Sequence, residues 1–89
     1  MSERLEELKI IAQTCTNDER IYEIVSSVAQ MSDDELSQFR TKVISYFMTK
    51  NSPEDKEAYR FYRILLEDQN AKKVLEFYEE IKNNSNNSI

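Results

Sequence analysis

Apolar residues recur at intervals of three and four along most of the chain, the period that sets them on one face of a helix. Leu5, Leu8, Ile11, Ala12 and Cys15 make the first such face, and Ile21, Ile24, Val25, Val28 and Ala29 the second. Leu36, Phe39, Val43 and Phe47 mark a third, Ala58, Phe61, Tyr62 and Leu65 a fourth, and Ala71, Val74, Leu75, Tyr78 and Ile81 a last one. The chain has no glycine and a single proline, which argues against a sheet, because two-residue hairpin turns depend on glycine at positive φ.

Helix starts are signed where each period breaks. A capping box pairs a Ser or Thr at the cap with an acid three residues on, so Thr16 with Glu19 is predicted to open the second helix and Ser32 with Glu35 the third. Met31 and Leu36 stand at the two positions of a hydrophobic staple around Ser32. Ser52-Pro53-Glu54-Asp55 opens the fourth helix, with proline in the first helical position, where its missing N–H costs nothing. At Glu67-Asp68-Gln69-Asn70 the apolar face slips by one or two residues. A break with Asp or Asn as a new cap is the favoured reading there, ahead of one long helix that turns its stripe from one neighbour to another. Residues 83–89, an Asn/Ser run ending in isoleucine, show no periodicity and read as a disordered polar tail. The expected fold is all-α: one domain over 1–82, a bundle of four to five short antiparallel helices.

Composition narrows the chemistry. The 89 residues leave room for one core, and 39% hydrophobic with 33% charged residues suits a soluble globular chain. Without histidine and with one cysteine there is no imidazole acid or base, no Cys/His zinc site and no Ser-His-Asp triad. Without glycine the common phosphate-cradling loops are missing, so no cofactor is expected. The acidic pairs Glu3/Glu7, Asp33/Asp34 and Glu79/Glu80 fall outside the apolar stripes, and Asp33 and Asp34 sit in a first turn, where the helix dipole favours negative charge. They read as solvated surface, and the protein as a non-enzyme. Cys15, in phase with Leu8 and Ala12, reads as a small buried hydrophobe. A lone cysteine forms no internal disulfide, and neither a leader-like apolar run near Met1 nor a stretch of some 20 apolar residues is present. A cytoplasmic protein with no membrane partner is expected.

Charge adds a division that the net value of −5 conceals. Residues 1–37 hold three bases against nine acids, whereas residues 38–64 hold six bases against three acids. Two electrostatic faces follow, which either meet partners or satisfy each other within the bundle. Between Ala58 and Leu66 only Arg60 and Arg63 are not apolar, and Ile44 and Met48 widen the third helix beyond its stripe. A helix apolar nearly all round is central in its bundle or covered by a partner, and a chain this short has little interior. Ile44, Met48, Tyr59, Arg60, Arg63 and Ile64 are therefore candidate partner-binding residues, joined by Asp33 and Asp34 from the acidic third. The function they suggest is a small acidic interaction module, a regulator or inhibitor that docks helices on a protein partner of unknown identity, or on a second copy as a homodimer, and occludes it. The alternative is a small DNA- or RNA-binding regulator using the basic third and fourth helices, where Tyr46-Phe47 and Tyr59 to Arg63 interleave aromatic and basic residues. The acidic total weighs against nucleic acid.

Overall fold

The computed structural model describes residues 2–87, and among them the regular elements are five helices and no strand: α1 Ser2–Asn17, α2 Glu19–Ala29, α3 Asp33–Phe47, α4 Pro53–Leu66 and α5 Asn70–Asn87. This is the small all-α bundle that the periodicity predicts. No helix in it is long and apolar enough to cross a membrane among the described residues.

The caps explain why the helices begin where they do. Ser32 forms the full capping box: its Oγ accepts from the Glu35 amide at 3.2 Å, and its own amide donates to the Glu35 carboxylate at 2.9 Å. Ser52 caps α4 by accepting from the Asp55 amide at 3.1 Å, with Pro53 at the first helical position. The start of α2 differs from the sequence expectation. Its cap is Asp18, in an extended conformation, whose carboxylate accepts from the amides of Arg20 and Ile21 at 3.0 and 3.4 Å. Thr16 still lies within α1, so its hydroxyl turns back to donate to the Gln13 carbonyl. An acid two residues nearer the new helix wins because it reaches the first free amides directly.

Most of the core lies where α1, α2 and α5 meet. Leu8, Ile11, Ala12 and Cys15 from α1, Val25 and Val28 from α2, and Ala71 and Val74 from α5 are buried there. Tyr22 and Tyr78 join α2 to α5 with ring centroids 4.8 Å apart. Leu5, grouped with the first face by its spacing, is half exposed, while Ile11 is buried. Helix α4 packs on this layer through α5 and α2, and α3 packs chiefly on α4. Three consecutive α4 residues, Ile64, Leu65 and Leu66, are buried, at about 1.5–3 kcal/mol for each such side chain.

The break at residues 67–70 is real. Asp68 and Gln69 take positive φ of 50° and 60°, left-handed geometry that glycine would adopt without strain and that this chain must build from other residues. Asn70 repairs the end of α4 rather than opening α5. Its side-chain amide is buried and donates to the Ile64 carbonyl at 2.8 Å, adding a shorter bond to an acceptor that the Glu67 amide reaches only at 3.4 Å. Helix α5 then runs to Asn87, past the boundary at Lys82 suggested by composition, so 83–87 of the expected tail are helical and 88–89 lie outside the described residues. A helix already nucleated propagates at one hydrogen bond per residue ordered, and only nucleation is steeply unfavourable.

Chemical denaturation should rank these contacts. Asn70→Ala, which removes the shorter of two hydrogen bonds to the Ile64 carbonyl, is expected to cost about 0.5–1.5 kcal/mol, and Asp18→Ala or Ser32→Ala about 0.5–2 kcal/mol. Thr16→Ala should stay within about 0.5 kcal/mol of zero. A larger loss from Thr16 than from Asp18 would reverse the assignment of the α2 cap.

Candidate protein-interaction groove

Helix α3 is covered on one side. Val43 is its buried residue, flanked by Leu36, Phe39 and Phe47, which pack partly against the core. The contact with α4 is aromatic: Phe39 meets Tyr62 edge-on at 5.9 Å, and Phe47 lies 5.6 Å from Tyr59 and 6.2 Å from Tyr62. Turning away from that stripe, Arg40, Ile44 and Met48 follow one another at one-turn spacing along α3. Ile44 is 44% exposed and Met48 75% exposed. On the other flank of the stripe Tyr46 is also exposed, with the Lys50 ammonium 4.8 Å from its ring centroid.

Two hollows adjoin across α4. Arg40, Ile44, Tyr59, Arg63 and Glu67 line the one between α3 and α4, over a floor of Val43 and Leu66. Arg4, Glu7, Arg60 and Ile64 line the next, between α4 and α1, and share Tyr59, Arg63 and Glu67 with the first. The two meet at Tyr59, Arg63 and Glu67 as a trough across the exposed side of α4, and a third hollow, walled by Ile10 and Glu57, adjoins it at Glu7, Arg60 and Ile64.

Four arginines and two glutamates line this trough. Arg60 donates to the Glu7 carboxylate, and Arg4 lies 3.7 Å from Glu7 and 4.0 Å from Glu67. Arg63 lies 3.9 Å from Glu67, with its guanidinium 5.8 Å from the Tyr59 ring centroid. Arg40 donates across the helix pair to the Leu66 carbonyl at 2.6 Å, a second cap on the end of α4. The hydrogen bond from Arg60 holds the Glu7 carboxyl below the usual range for glutamate; burial opposes it, and the charges of Arg60 and Arg4 assist. Each guanidinium carries five N–H donors. The described pairs engage only some of them.

Five of the sequence candidates meet here: Ile44, Tyr59, Arg60, Arg63 and Ile64. Met48 stands one turn beyond Ile44 and lines neither hollow. Asp33 and Asp34 do not join them; they are exposed in the first turn of α3, about 15 Å along the helix from Ile44. Ile64 needs correction as a surface residue. It is 6% exposed, part of the chain's own core, because α4 lies between α3 and the layer of α1, α2 and α5 and is covered from both sides. A nearly all-apolar α4 thus marks a helix covered within its own bundle, and the exposed apolar side chains belong to α3 and its end (Ile44, Tyr46, Met48) and to α1 (Leu5, Ile10). Periodicity passed over Arg4, Glu7, Arg40 and Glu67. The pairs Arg4/Glu7 and Arg63/Glu67 carry helical spacing that could have flagged them, whereas nothing local brings Arg60 to Glu7 or Arg40 to Leu66.

Nothing in the groove is arranged as a nucleophile with its base. Cys15 lies elsewhere, buried, with its thiol pushed up by burial and by the Asp18 charge. Among the described residues no three His, Cys, Asp or Glu side chains are grouped to hold a metal ion.

The Glu7 contact makes a pH prediction. Since its pKa is depressed on folding, the stabilisation is present above the unfolded value near 4.5 and is lost as pH falls through the folded value. A carbon-detected NMR titration should give Glu7 a midpoint below the ordinary glutamate value, and Arg60→Gln should raise it. An unchanged midpoint in Arg60→Gln would show that the pair does not persist in solution.

No protein family, no curated protein and no solved structure matches this chain, so the reading of the groove rests on its own residues.

Proposed function

We propose that this protein is a non-enzymatic protein-interaction module, a small regulator or inhibitor that docks through the trough between α3, α4 and α1 and occludes the surface it covers. One observation carries the reading: the uncovered side of α3 presents Ile44 and Met48 to solvent, and Ile44 shares a hollow with Tyr59, Arg40 and Arg63. Aromatic residues, methionine and arginine are enriched where proteins meet.

A second reading, DNA or RNA binding through the basic third and fourth helices, draws on the same arginines. It is weakened by Glu7 and Glu67, which stand among them and would meet phosphates with like charge.

The double variant Ile44→Glu/Met48→Glu should keep the helical circular dichroism signal and melt within about 1 kcal/mol of the natural protein, because both side chains are already wet. Ile64→Glu, by contrast, puts a carboxylate in the core and should lose several kcal/mol. Tagged natural and double-variant proteins are then compared as baits, with light scattering after size exclusion reporting self-association. A partner or dimer seen with the natural protein and lost with the double variant supports docking at α3. Identical capture by both baits, with both monomeric, overturns it.

A further inference from the structure

We infer that the turn between α4 and α5 is a hinge through which α5 exchanges with a second copy of this chain, giving a domain-swapped dimer. The inference is independent of docking at α3. Asp68 and Gln69 hold the turn at φ of 50° and 60°. Neither is glycine, so each carries the steric penalty of left-handed geometry, and a short connection under strain is the kind that exchange of an element relieves. Straightening the turn leaves the end of α4 no poorer in hydrogen bonds. In a continuous helix from Pro53 to Asn87 the amides of Asp68 and Asn70 reach the carbonyls of Ile64 and Leu66. Those carbonyls are served in the turn by the Glu67 amide at 3.4 Å, the Asn70 side chain and Arg40.

The direction of the buried faces decides which chain receives α5. Leu65 and Val74, the most buried residues described in α4 and α5 at 1% and 0% exposed, are nine residues apart. Nine residues make two and a half turns, so in a continuous helix these side chains leave on opposite sides. With Leu65 seated in its own bundle, Val74 faces away from that bundle on an arm of 18 residues, about 27 Å long. Such an arm cannot reach its own α1 and α2, whose Leu8, Ala12 and Val25 it leaves bare. A second copy offers the identical seat. Exchange then restores the packing of α5 in both chains, including the Tyr22–Tyr78 stack and Lys9 over Phe77. Helix α5 suits this role because it packs mainly on α1 and α2 and far less on α4, the helix it hinges from.

Refolding tests the exchange. Natural protein refolded from denaturant at high concentration should yield a dimer by light scattering after size exclusion. Asp68→Ala/Gln69→Ala favours the straight helix, whereas Asp68→Gly/Gln69→Gly takes left-handed geometry freely. With two hinges per dimer, the alanine pair should dimerise about tenfold or more tightly than the glycine pair. A second measurement identifies the dimer. Chains carrying Lys9→Cys and chains carrying Phe77→Cys are refolded together and treated with a short bismaleimide, with the natural chain, whose Cys15 is buried, as control. The two positions meet across α1 and α5, so a link between different chains reports exchange. Such a link, retained when Ile44→Glu/Met48→Glu is added to both chains, supports the inference. A dimer without the link, or one lost with Ile44→Glu/Met48→Glu, would overturn exchange and leave docking at α3 standing. Monomers at every concentration in both hinge pairs, or equal dimerisation of the alanine and glycine pairs, would also overturn it.

Discussion

The hydrogen bond from the buried Asn70 amide to the Ile64 carbonyl holds the architecture to its shape. A helix end leaves carbonyls short of partners, and at the end of α4 they belong to three consecutive core residues. Asn70 strengthens the contact to one, which the Glu67 amide also reaches, and Arg40, reaching over from α3, fills another. With those acceptors met, the chain can turn through Asp68 and Gln69 in left-handed geometry at a cost of about 1–2 kcal/mol each. The turn sends α5 back along α1 and α2 and leaves α4 as the central helix. It also fixes Glu67 at the rim of the trough, between Arg4 and Arg63.

A central α4 accounts for the distribution of apolar surface. One side of α4 meets the main layer, the other meets α3, and both sets of contacts are satisfied within the chain. Helix α3 has no third neighbour of comparable extent. Its apolar residues therefore divide into an aromatic row that holds it to α4 and a pair, Ile44 and Met48, that holds it to nothing described. Arg40 belongs to both halves of this arrangement, tying α3 to the end of α4 while lining the trough.

Much of the fold was legible because its signals are local. The apolar period and the Ser32 and Ser52 caps each act within a few residues, and the aromatic row on α3 follows from Phe39, Val43 and Phe47 alone. Thr16 misled because a capping box is a pattern of residue types, and with α1 running to Asn17 the free amides of α2 are those of Arg20 and Ile21, which Asp18 reaches. Asn70 was readable as a cap but not as the cap of the preceding helix, since that depends on the backbone doubling back. The trough was half legible. Its apolar and basic residues stood out on α3 and α4, whereas Glu7 enters only through the tertiary approach of α1 to α4. Ile64 was placed outside because circumference alone does not say how many neighbours a helix has.

The pairing of α1 with α5 imposes an order in time. The two helices farthest apart in sequence share the most extensive contact in the bundle, and Leu8, Ile11 and Ala12 are covered only when both are present. A ribosome releases α1 first and α5 last. Through most of synthesis α1 can meet only α2, with its apolar face otherwise bare, while α3 and α4, joined by a short connection, can already form their aromatic hairpin. The α3–α4 pair can thus form before α5 is there to close the core over α1.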